Sequence, residues 1–155
     1  MARLARSGRI AAAIAIVWGL GAGILSVAWA LGSDIALDQL GTRIQEQARE
    51  REPAFVAMIA GSATARFLVA VLGFALLIGP ARGWSRRPLL VLGYLGGAGL
   101  TIYGIAGMIQ AALAKTGVIA TPSSMGEDAV IWYLLVWEPL WLVAGLALLV
   151  ATGGF

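Results

Sequence analysis

The sequence predicts an all-α integral membrane protein, a bundle of four transmembrane helices, and three observations predict it. Of the 155 residues, 60% are hydrophobic and only 12% charged, with a mean hydropathy of +0.88; soluble domains are roughly 45–50% apolar with about 25% charged residues. The apolar residues gather into four runs, each reaching the ~20 residues a helix needs to cross a bilayer. The arginines border these runs, so the +3 net charge orients the chain in a bilayer and does not signal nucleic acid. Cysteine and histidine are both absent. Their absence removes disulfides, thiol redox chemistry, thiolate or imidazole metal ligands, histidine-ligated haem and a histidine general base. No cofactor and no metal site is expected.

A single membrane domain spanning 1–155 accounts for the whole chain. The first span covers about residues 10–31, after a start that carries Arg3, Arg6 and Arg9. A basic start, an apolar run and Ala28-Trp29-Ala30 also mark signal peptides, but this run exceeds their apolar region of about 7–15 residues. It is therefore read as a retained helix. Between about 34 and 52, Leu37, Leu40, Ile44 and Ala48 fall at helical spacing. Asp38, Arg43, Glu46, Arg49, Glu50, Arg51 and Glu52 take the other faces. That pattern fits an extracytoplasmic amphipathic helix on the membrane surface, and equally a solvated helical linker.

Pro53 starts the second span, about 54–79, which has Arg66 near its middle. A short basic loop with Arg82, Arg86 and Arg87 beside the interfacial anchor Trp84 leads to the third span, about 89–113. This span is rich in glycine: Gly93, Gly96, Gly97, Gly99, Gly104 and Gly107. The next loop carries Lys115, Glu127, Asp128 and the turn residues Thr121-Pro122-Ser123-Ser124, and the fourth span covers about 130–150. The N-terminus and the second-to-third loop hold six arginines and no acid, whereas the other two loops hold four basic and seven acidic residues. By the positive-inside rule both termini face the cytoplasm, which in a bacterium means the inner membrane.

Chemistry concentrates in Trp132-Tyr133-Leu134-Leu135-Val136-Trp137-Glu138-Pro139-Leu140-Trp141, which holds the only carboxylate inside any span. Counted from the same boundary at ~1.5 Å per residue, Glu138 lies ~12 Å deep, Tyr103 ~15 Å and Arg66 ~17 Å. An ionisable group at mid-membrane costs several kcal/mol unless it is paired or watered. Arg66 and Glu138 are therefore expected to face each other, with Tyr103 hydrogen-bonding to one of them. Ser62, one turn before Arg66, would join the network. Pro139 cannot donate to the carbonyl of Leu135, so the fourth span should kink there. A self-neutralising pair that fixes helix register is the first reading of this cluster, and a substrate, ion or proton site is the second.

Gly19-x-x-x-Gly23 and Gly93-x-x-x-Gly97 allow close helix approach, within the chain or in a homodimer. The run Gly19-Leu20-Gly21-Ala22-Gly23 is no dinucleotide loop, because no strand precedes it. Trp29, Trp84 and Trp132 fall near span ends, where an aromatic belt is expected. The deeper Trp18, Trp137 and Trp141 fill the bundle or contact a lipid or quinone. No nucleophile stands at a base's spacing, so the protein is expected to be non-enzymatic.

These residues resemble a known family, the small four-helix actinobacterial membrane proteins grouped as DUF3995, whose function is unknown. The resemblance is carried by Ser26-Val27-Ala28-Trp29-Ala30-Leu31-Gly32, by Tyr103-Gly104 in the glycine-rich span, by Gly117-Val118-Ile119, and by Trp132 through Trp141. It departs where the family pattern has a histidine, here Ser26, and an Asp-Pro pair, here Glu138-Pro139. The resemblance implies the four-span fold and no known reaction, and an activity carried by that histidine would be lost here. The expected role is an accessory or assembly subunit of a larger membrane complex, held in the lipid bilayer and bound to other membrane subunits through its apolar outer face. The alternatives are a small proton-coupled transporter using Glu138 and Arg66, and a lipid- or quinone-binding protein.

Overall fold

A computed structural model describes residues 6–79, 86–122 and 125–155. Arg3, Arg82, the Trp84 anchor and Ser123-Ser124 lie outside them. Among the described residues the chain is all helical. The long helices are α1 (Arg6–Ala30), α3 (Pro53–Ile78), α4 (Arg86–Lys115) and α5 (Val130–Gly153), with the short α2 (Thr42–Arg49) between α1 and α3. Each long helix is apolar and long enough to cross a membrane, which makes this a multi-pass membrane protein.

The ends of the helices follow from single residues. Gly32 and Gly117 stand at φ +96° and +72°, the left-handed conformation that closes a helix at little steric cost. Ser33 N–H then reaches back to Ala28 O at 2.9 Å, and Val118 N–H to Leu113 O at 3.0 Å. Pro53 opens α3 at a position where no N–H is needed.

The segment expected as one surface helix is broken in two. A 3₁₀ turn covers Leu37–Gln39, Leu40 is extended, and α2 begins after Gly41. The break lets Leu37, Leu40 and Ala48 bury themselves against Trp29, Phe55 and Ile59. The apolar face thus caps one end of the bundle instead of resting on lipid. Two polar ties hold the cap down: Trp29 Nε1 donates to Ile35 O at 2.7 Å, and Arg51 to Ala30 O at 3.3 Å. Trp29 is therefore buried under this cap, not set in an interfacial belt.

In the bundle, α1 lies against α3 and α5, and α4 lies against α5, whereas α3 touches α4 only lightly. At the end that holds the termini, small residues let the helices close up: Ala11, Ala12 and Ala15 pack with Val69, Leu76, Ala147, Leu148 and Ala151. In lipid such small-residue seams supply the van der Waals contact that holds helices together. Gly19, Gly23, Gly93 and Gly97 all face neighbouring helices of the same chain. A Cβ on Gly19 would stand 2.6 Å from Arg66 O and 2.7 Å from Ala70 N, and neither backbone atom can step aside. Gly19→Leu should therefore wedge α1 from α3 and cost about 3 kcal/mol, read as a lowered midpoint of unfolding in mixed micelles.

Candidate functional site

The site is built on a local irregularity of α5. Tyr133–Trp137 form a π-helical turn, closed by the N–H of Glu138 on Tyr133 O. Pro139, at the start of the α-helical part, has no N–H for the Leu135 carbonyl, so the wider turn forms beside the residue that breaks the ordinary ladder. Single π turns inside helices frequently mark functional positions. This one delivers Glu138 into the protein, where it is only 5% exposed. The facing helix makes room through glycine. A Cβ on Gly107 would overlap the Glu138 carboxyl group, and one on Gly104 would press on Leu142 N at 2.6 Å and Glu138 O at 3.0 Å.

Arg66 and Glu138 do not pair, contrary to the expectation from their depth. The guanidinium turns to α1 instead. Its Nη1 donates to Ser26 Oγ and, at 3.3 Å, to Ala22 O. Close packing of α1 on α3 through Gly19 brings these acceptors near, and Ser26 in turn donates to Ala22 O at 3.0 Å. Ser62 is not a partner of Arg66, whose hydroxyl contact is the fully buried Ser26. Ser26→Ala should cost about 1 kcal/mol, because the guanidinium loses one buried acceptor. Chemical unfolding in micelles would measure it.

The aromatic residues join the two charged groups. The Arg66 guanidinium lies over the Trp141 ring, 4.8 Å from its centroid, a cation–π geometry. Trp18 meets Trp141 edge to face at 4.8 Å, Tyr103 meets it at 5.2 Å, and Trp137 meets Trp29 at 5.8 Å. Tyr103 makes no hydrogen bond to either charge, yet lies within electrostatic range of both. Its ring is more than half exposed.

Four buried polar atoms in this cluster have no hydrogen-bond partner: Trp18 Nε1, Trp137 Nε1, Arg66 Nε and Glu138 Oε2. Folded proteins pair nearly all such atoms, since each orphan costs about 1–3 kcal/mol. Trp18 and Arg66 both lie against Trp141, so two of the orphan donors flank that ring, whereas Trp137 lies against Trp29 and the Glu138 carboxyl against Gly107. The side chains present offer hydrogen bonding, stacking and charge, and no group of three metal-ligating side chains occurs among the described residues.

The sequence grouped Glu138, Arg66, Tyr103 and Ser62 as one buried polar cluster and Trp18, Trp137 and Trp141 as possible contacts; in the structure Arg66 turns to Ser26, Trp18 and Tyr103 lie against Trp141, and Trp137 lies against Trp29. Two features escaped it. Ser26 was legible only as the position of the family histidine, and the Gly104–Gly107 seat was hidden among many glycines.

Searches of curated proteins and of solved structures found no match to this chain. Its arrangement of four apolar helices, with Ser26-Val27-Ala28-Trp29 and Trp137-Glu138-Pro139 converging on one centre, is accompanied by a family match across residues 10–148. The chain belongs to the family described as protein of unknown function (DUF3995).

Proposed function

We propose that this protein binds an amphiphilic ligand of the bilayer at the Glu138–Arg66–Trp141 centre and does so without enzymatic chemistry. The observation that carries the reading is the set of four unpartnered buried polar atoms, with Arg66 and Glu138 held apart. A pair that neutralised itself would need no ligand, and here the two charges leave each other unsatisfied. The arginine distribution supports both termini on the cytoplasmic side of a bacterial inner membrane.

A second reading, an accessory subunit of a larger complex, is favoured by α4. Only 17% of its most apolar stretch is buried, against 28–39% in the other long helices, and a Cβ on Gly99 would meet nothing within 4 Å. A partner helix would find an open apolar face there. Native mass spectrometry after mild extraction separates the readings. Retention of a small ligand by the wild type but not by Arg66→Gln supports the binding protein. Constant stoichiometry with other subunits and no small ligand supports the accessory subunit. A homodimer whose ligand uptake follows a proton gradient would point instead to a proton-coupled transporter.

A further inference from the structure

Resting on the binding reading, we infer that the ligand is a flat ring bearing carbonyl oxygens on an apolar tail, the quinone class, and that it enters sideways between α3 and α4. The shape of the bundle supports the route. Toward the termini α3 and α4 converge: a Cβ on Gly96 would meet Leu72 and Leu148 at 3.8 Å, and one on Gly79 would meet Leu89 at 3.1 Å. Toward the capped end they part. There α3 packs with α1, the cap and α5 around Trp29, Phe55 and Ile59, while α4 packs with Met125 and Val130 through Ala111, in a second cluster that meets the first at Tyr133. Arg66 lies six residues above Leu72 and Tyr103 seven above Gly96, so both stand ~9–10 Å beyond the convergence, where the gap begins. Exposed Tyr103 flanks this opening and Trp141 lies behind it.

The chemistry selects the ligand. Two orphan N–H groups on side chains beside Trp141, Trp18 Nε1 and Arg66 Nε, require more than one acceptor oxygen. Trp141, with Tyr103 and Trp18 at its edges and a guanidinium on its face, forms walls suited to a flat ring. Depth argues against a phospholipid headgroup, since phosphates sit ~15 Å from the middle of a ~30 Å hydrocarbon core. A fatty-acid carboxylate could pair with Arg66, but it has no flat ring for Trp141 and puts a charge beside the buried Glu138 carboxyl group. A neutral dicarbonyl ring meets neither obstacle, and a reduced ring would offer its hydroxyls to Glu138 Oε2.

The test uses the full chain in phosphatidylcholine nanodiscs, with a decyl-tailed benzoquinone as probe and tryptophan fluorescence as readout. Saturable quenching is expected in the wild type, above the linear quenching seen in empty discs doped with tryptophan octyl ester. Arg66→Lys keeps the charge but loses the planar Nε donor, and should weaken the saturable phase about tenfold. Trp132→Phe, at the exposed start of α5 and outside the centre, should bind at the wild-type level. Only linear quenching in folded wild type overturns the quinone assignment. If oleate is then retained and Arg66→Lys releases it, the binding reading stands without the ring. If neither ligand is retained, both fall. Equal binding by Arg66→Lys and wild type would remove the site from this gap.

Discussion

Replacing Glu138 with leucine is expected to make the protein more stable and to end ligand retention at the same time. The carboxylate is almost fully buried, and its Oε2 has no partner. Exchanging an unpaired buried ionisable group for an apolar one of similar size is commonly neutral to stabilising, here by about 1–3 kcal/mol. A residue kept only to fix helix register would behave in the opposite way, and its loss would destabilise. Unfolding in mixed micelles and mass spectrometry of the extracted protein give the two readouts. Lower stability in Glu138→Leu would mean that the carboxylate is structural.

The second large effect is a coupling between Gly107 and Glu138. Alanine at 107 places a methyl group where the carboxyl now lies, so Gly107→Ala alone should cost about 2–3 kcal/mol and expel Glu138 from its seat. In a Glu138→Ala background the added methyl meets empty space, and the same change should cost less than about 0.5 kcal/mol. The difference is an interaction energy of about 2 kcal/mol, in the range found for residues in direct contact. Near-additive costs would show that α4 does not approach α5 this closely.

The four spans were legible because length and apolarity alone set them, and Pro53 marked the start of the second, whereas the third ran on to Lys115, past the end expected near residue 113. Depth was legible as well. A fixed rise per residue places Arg66, Tyr103 and Glu138 at similar depth without knowledge of packing. Rotation about each helix axis was not. A span apolar on every side carries little pattern to say which face looks inward. Arg66 consequently went to Ser26 on α1 when its depth had suggested Glu138. The π turn adds a second obstacle, because one extra residue in a helical turn swings everything after it by about 100°. The single surface helix expected after the first span failed for a different reason. Helical spacing of Leu37, Leu40, Ile44 and Ala48 was real, but Gly41 interrupts it and Trp29 and Phe55 supply a protein surface to cover.

That cap has a consequence for how the site is supplied. Trp29 fastened to Ile35 O, and Leu37, Leu40 and Ala48 lying over Phe55, plug the bundle against the aqueous phase on that side. Leu76, Leu148 and the alanines plug it on the other. A ligand of the proposed kind would reach Glu138 dissolved in hydrocarbon, so its occupancy would be governed by mole fraction in the membrane and not by molarity in the surrounding solution. Diluting the nanodiscs with buffer should leave a partitioned ligand in place, whereas fusing them with empty vesicles should strip it. The surrounding bilayer is then both the solvent of this protein and the reservoir it samples.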